Sequence, residues 1–150
     1  MKKFKFSLDS VLSYKQQILD SLQSEHGAIL ARMRAKEEEL DRRWREYRQC
    51  NEEYQHRAAQ GLAMTDVLMY QSRLRAMERE IQRATQELED LKKQEEAKRA
   101  EVVEAKKESA SIEKLKDKKL AAYHKEAAKQ EEQFIEEFVS ITRIAGSAGV

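Results

Sequence analysis

Ala58-Ala59-Gln60-Gly61-Leu62-Ala63-Met64-Thr65-Asp66 decides how the chain folds, because nowhere else between Ser7 and Thr142 is a glycine followed within a few residues by a Thr-Asp helix start. Gly61 can take the left-handed conformation that closes a helix C-terminus. Thr65 is placed to accept a hydrogen bond from the first free amides of a following helix, and Met64 and Met69 are spaced as a hydrophobic staple across that start. To either side the sequence reads as helix. The expectation is an all-α fold, a long two-helix antiparallel coiled-coil hairpin taking 1–150 as one elongated unit. Its first helix covers about 7–60, its tip about 60–65 and its second helix about 65–142, followed by a flexible tail at 143–150.

The arm before the tip opens at Ser7, a plausible N-cap with Phe6 before it and Val11 after it as a staple, and with Asp9 at the positive end of the helix dipole. Positions 12, 19, 26, 33, 40, 47 and 54 read Leu, Leu, His, Met, Leu, Tyr, Tyr, and positions 8, 15, 22, 29, 36, 43 and 50 read Leu, Lys, Leu, Ile, Lys, Arg, Cys. A four-three spacing held over this length specifies a left-handed coiled-coil seam. Lys15, Lys36 and Arg43 break one row, so the seam is partly wet there or the long side chains snorkel past it, setting register more than stability. Gly27 costs roughly 1 kcal/mol relative to alanine and reads as a solvated helical glycine, with a local bend as the alternative.

In the second arm positions 67, 70, 74, 77, 81, 84, 88 and 91 read Val, Tyr, Leu, Met, Ile, Ala, Leu, Leu, an unbroken apolar row. Glu95 and Lys98 interrupt it, Val102, Ala105 and Ile112 resume it, and Leu120, Tyr123, Ala127, Phe134, Phe138 and Ile141 follow in a shifted phase. The packing face should therefore change between about 109 and 120. At about 1.5 Å per residue the second arm outruns the first, which leaves roughly 120–142 without a partner helix from the same chain. The apolar residues Leu120, Tyr123, Phe134, Ile135, Phe138 and Val139 on that overhang read as a docking surface for another protein, with self-association as the alternative. Phe4 and Phe6 are close enough in the chain to lie along it near Leu120, Tyr123 and Ala127. Gly146-Ser147-Ala148-Gly149-Val150 are expected to be disordered.

Composition agrees with long helices. The 150 residues include no proline, 38% are charged and 7% aromatic, and 29 basic side chains nearly cancel 28 acidic ones. That is the make-up of coiled coil rather than of a compact core. A net charge of +1 provides no broad field for nucleic acid. The single cysteine, Cys50, cannot form an internal disulfide, and no apolar run approaches the roughly 20 residues of a membrane span. The opening Met1-Lys2-Lys3-Phe4-Lys5-Phe6 has no signal-peptide core after it, so a cytoplasmic protein without membrane insertion is expected.

Catalytic chemistry finds no support. His26, His56 and His124 are scattered without ligand spacing, no glycine-rich phosphate loop precedes a lysine, and Cys50 falls on the seam as a small hydrophobe. The carboxylates belong to solvated helix faces, where no pocket tunes them. Lys114, Lys116, Lys118 and Lys119 are interleaved with Glu113 and Asp117 and read as a solvated face. No enzyme, metal or cofactor is expected.

Phe4-Lys5-Phe6-Ser7-Leu8-Asp9-Ser10-Val11-Leu12 followed by Tyr14-Lys15 resembles the start of the FliJ family, small coiled-coil components of the bacterial flagellar export apparatus. Glu113-Lys114-Leu115-Lys116, Tyr123, Glu131-Glu132-Gln133 and Glu136-Glu137-Phe138 are similar to that family's C-terminal pattern. The resemblance implies a stalk like the γ subunit of rotary ATPases, whose paired terminal helices enter the ring of the flagellar export ATPase. It also implies contact with the cytoplasmic domain of the membrane export gate and escort of export chaperones, at the membrane periphery of the flagellar base. On this resemblance the gate-binding residues are Tyr47, Tyr54, Tyr70, Gln71, Arg73, Leu74 and Met77, with Arg73 standing where relatives can carry an aromatic. The ATPase-binding residues are Phe4, Phe6, Leu120, Tyr123, Phe134, Ile135, Phe138 and Val139. A stalk of a virulence-type secretion system and a self-assembling structural coiled coil are the alternatives.

Overall fold

The computed structural model describes residues 2–148. Two α-helices, α1 (Asp9–Gln60) and α2 (Met64–Ala148), pack against each other as an all-α hairpin, and no strand occurs among the described residues. The turn between them depends on Gly61, whose φ is 99° and whose amide donates to the Ala58 carbonyl at 3.2 Å. That torsion lies in the region that side-chain-bearing residues rarely adopt.

Several helix ends differ from the sequence expectation. α2 opens on the Ala63 carbonyl, which accepts the amides of Asp66 at 3.0 Å and Val67 at 3.1 Å, so Thr65 lies inside the first turn and is not the cap. Met64 is then already helical, and residues five apart on a helix stand about 140° from each other. Met64 and Met69 are both exposed accordingly, and the expected staple does not form. α1 starts at Asp9 rather than Ser7, after a turn in which the Asp9 amide donates to the Phe6 carbonyl at 3.1 Å. Phe6 is buried while Val11, its expected staple partner, is exposed. At the far end α2 passes Thr142 and runs to Ala148, because alanines are good helix formers and Gly146 takes a helical rather than a left-handed conformation. The Ser147 hydroxyl donates to the Ile144 carbonyl at 2.9 Å within this extension. Gly149 and Val150, the rest of the expected tail, lie outside the described residues.

The chain forms two compact units. One comprises Asp20–Val103, the other the chain up to Leu19 together with the chain from Glu104 onward. In the first unit, Cys50, Tyr70, Ile81, Ala84, Leu88 and Val102 are buried and the other heptad positions are half-buried, so burial follows the four-three rows. Pairing runs antiparallel: Tyr54 packs on Tyr70 with ring centroids 5.3 Å apart, Tyr47 donates to Glu78 at 2.8 Å, Lys36 to Glu87, and His26 meets Glu95 at 3.0 Å. The seam cations reach past the seam to carboxylates at its solvent edge. Lys36 and Arg43 both bond Glu39, at 2.7 Å and 2.9 Å, and Arg43 reaches Glu80 at 3.8 Å. Lys36 and then Arg43 hold the Glu39 carboxyl below the usual carboxylate range, while Glu39 and then Glu87 raise the Lys36 ammonium. Glu95 and Lys98, which break the apolar row of α2, find His26 and Glu25 across the seam.

In the second unit Phe6, Leu12, Ala105 and Ser109 are buried. Lys15 pairs with Glu108 at 2.8 Å, Gln16 donates to Glu113 at 3.1 Å, and Lys116 pairs with Asp9 at 2.9 Å. The protected positions of α2 pass from Ile112 to Lys116 to Leu120 in two steps of four, where a regular heptad alternates four with three. That extra residue moves the packing face within the expected window. From residue 128 onward every described residue is exposed. The unpartnered stretch therefore begins after Ala127 rather than at Leu120, because the segment before α1 lies alongside α2 there. Phe4 packs on Tyr123 at 5.5 Å between ring centroids, and the Tyr123 hydroxyl donates to the Lys2 carbonyl at 2.7 Å.

Candidate functional site

Two surfaces collect the residues to which function can be attached. Around the tip, the sequence-selected residues divide by exposure. Tyr70, at 2% exposure, is the largest fully buried side chain. Its hydroxyl donates to Glu53 and accepts from Arg57, both at 2.9 Å, and the Arg57 guanidinium also lies 5.7 Å from the ring centre. A phenol with both hydrogen-bonding roles filled and its ring covered supports the tip from inside. Tyr47, Tyr54, Leu74 and Met77 are half-buried and belong to the seam, whereas Gln71 and Arg73 are exposed. Met64 and Leu68 also stand out into solvent, on one face of the first turns of α2.

The sequence reading passed over Trp44. It lies off the heptad rows, 43% exposed, with its ring edge-on to Tyr47 at 5.8 Å. Together with Tyr47, Glu78, Ile81, Gln82, Thr85 and Gln86 it lines a groove of about 550 Å³ between α1 and α2. Glu78 is engaged there by the Tyr47 hydroxyl, a bond that raises the Tyr47 pKa above its ordinary value. The only tryptophan of the chain, placed on a solvated face, was the available signal.

The second surface is the exposed end of α2. Phe134, Phe138, Ile141 and Ala145 continue a four-three-four spacing with no helix of the same chain opposite, and Phe134 and Phe138 are 68% and 63% exposed. Ile135, Val139 and Ile144 widen the apolar area, Glu131 falls on the row of Phe138 and Ala145, seven residues before Phe138, and Glu137 borders it. Sequence reasoning joined Phe4, Phe6, Leu120 and Tyr123 to this set. The structure separates them: Phe6 is buried, and Phe4, Leu120 and Tyr123 are half-buried in the contact between the N-terminal segment and α2.

Among the described residues there is no cluster of three or more His, Cys, Asp or Glu side chains that could hold a metal ion, and no helix long and apolar enough to cross a membrane. A family model described as flagellar FliJ protein matches residues 4–146. No curated protein and no solved structure matches the chain.

Proposed function

The chain belongs to the FliJ family, and from that premise we propose that it works as a soluble coiled-coil stalk, docking on the flagellar export ATPase ring through the exposed end of α2. The family is a non-enzymatic component of flagellar protein export, so the protein is export-related. The tip meets the cytoplasmic domain of the membrane export gate, which keeps the protein peripherally associated with the membrane at the flagellar base. From that position it hands over export chaperones.

The observation that carries the ATPase reading is the run from residue 128 to Ala148, exposed throughout yet bearing Phe134, Phe138 and Ile141 at coiled-coil spacing. An apolar seam without a partner invites a helical partner from elsewhere. Burying one such side chain is worth roughly 1.5 to 3 kcal/mol, so losing two weakens a complex by orders of magnitude. Phe134→Ala with Phe138→Ala should leave helical content unchanged by circular dichroism, because both side chains stand exposed. The same variant should lose stimulation of the purified export ATPase and swim poorly. Full stimulation and normal motility in the folded double variant would refute the ATPase-binding role of this end. At the tip the gate contact falls to exposed Gln71 and Arg73 and to the Trp44 groove, with Tyr70 holding their frame.

A further inference from the structure

The basic residues of the chain are segregated by kind. From Arg32 to Arg83 every one except Lys36 is an arginine, and after Arg83 every one except Arg99 and Arg143 is a lysine. The two are not equivalent: arginine offers a planar fork that grips carboxylates in pairs and stacks on aromatic rings, whereas lysine is a strongly hydrated point charge. Protein interfaces are enriched in arginine, tyrosine and tryptophan and depleted in lysine. The Asp20–Val103 unit has that composition, with the single tryptophan and three tyrosines.

Structure narrows the composition to a place. Trp44 lines the apolar groove described above and, on its other side, a cleft of about 370 Å³ shared with Asp41, Arg45 and Arg48. Arg45 and Arg48 are exposed and form no ion pair among the described residues, in contrast to Arg43 and Arg83. Each cleft carries one carboxylate: Glu78, which keeps its charge while accepting the Tyr47 hydroxyl, lines the apolar groove, and Asp41 lies beside Arg45 and Arg48, where an incoming anion meets it. An apolar slot beside two unengaged guanidinium groups suits a particular ligand. We propose that the Trp44 groove seats the apolar anchor of an acidic peptide segment, whose carboxylates are taken by Arg45 and Arg48.

The inference rests on the gate reading for the partner's identity, but its chemistry is testable alone. The probe is a synthetic peptide of alternating glutamate and alanine around a central leucine, and the readout is the emission of Trp44 in the full chain. The peptide should shift that emission saturably, and less at high salt, since exposed charges are screened. Arg45→Ala with Arg48→Ala, helical content unchanged, should weaken binding several-fold to about tenfold, and replacing the peptide's leucine with alanine should do likewise. Asp41→Asn should tighten it, the opposite of what loss of a structural residue would do. Equal binding of a peptide with lysine for glutamate, or of a single-stranded oligothymidylate, would overturn the proposal, as would indifference to the arginine substitutions. The gate's cytoplasmic domain, mixed with the same variants, separates the two readings. If it does not bind the wild type, the gate reading fails and the peptide titration still decides the acidic-segment inference. If it binds, is lost on Trp44→Ala and ignores the arginine pair, the gate reading stands and the acidic chemistry is refuted.

Discussion

Gly61 and Gly27 are the same residue type in opposite circumstances, and each makes its stability contribution through its backbone. Nothing lies within 4 Å of a Cβ built at either position. At Gly61 the φ of 99° therefore sets the cost of a side chain, and crowding does not. Gly61→Ala should lower stability by about 1 to 2 kcal/mol, the cost of placing an L side chain in the left-handed region. Gly27 sits exposed inside α1 with ordinary helical torsions, so Gly27→Ala should raise stability by about 0.5 to 1 kcal/mol through the entropy removed from the unfolded chain. Denaturant midpoints of the two variants should move in opposite directions from the wild type. Movement in the same direction would mean that the Gly61 turn is not held in solution.

At the level of elements, the segment before α1 behaves as a strap on α2. Two aromatic residues do this: Phe6 is buried, Phe4 lies on Tyr123, and the Tyr123 hydroxyl ties the strap's backbone at Lys2. Without the strap, Leu120, Tyr123 and Ala127 would extend the exposed part of α2, and a helix lacking tertiary packing is marginal in water. Phe4→Ser with Phe6→Ser should therefore speed amide exchange across residues 120–127, while exchange around Ile81 to Leu88 stays slow. Unchanged protection at 120–127 would show that α2 holds its helix there without the strap.

For the whole molecule, the question is whether the exposed apolar stripe at the end of α2 is satisfied by a second copy. Its charges argue against that, because Glu131 lies on the row of Phe138 and Glu137 borders that row, so two copies face to face in register would bring like charges together. Sedimentation equilibrium at neutral pH should return the mass of one chain, 17.6 kDa, throughout a concentration series. A mass rising with concentration, and restored to a single chain by Phe134→Ala with Phe138→Ala, would make self-assembly the stripe's purpose and remove the ground for ATPase docking.

The hairpin was legible from the residues alone, because heptad spacing is a local periodic property and Gly61, followed by its Thr-Asp helix start, falls between the rows of the two arms. Every position of the two α1 rows from Leu12 to Tyr54 is buried or half-buried. The sequence also carried the family, through short motifs near both ends. Where helices stop and which side chains are free depend on packing and register, which no single row carries. The Ala63 carbonyl took the cap from Thr65, a choice made by backbone geometry that side-chain capping preference does not reveal. Carboxylates across the seam gave Lys15, Lys36 and Arg43 their partners, which needs the antiparallel register rather than either row alone. Tyr70 and Trp44 exchanged places as candidates for the same reason. An aromatic on a heptad row is buried by its partner helix, and one off the row stays exposed, where a second protein can reach it.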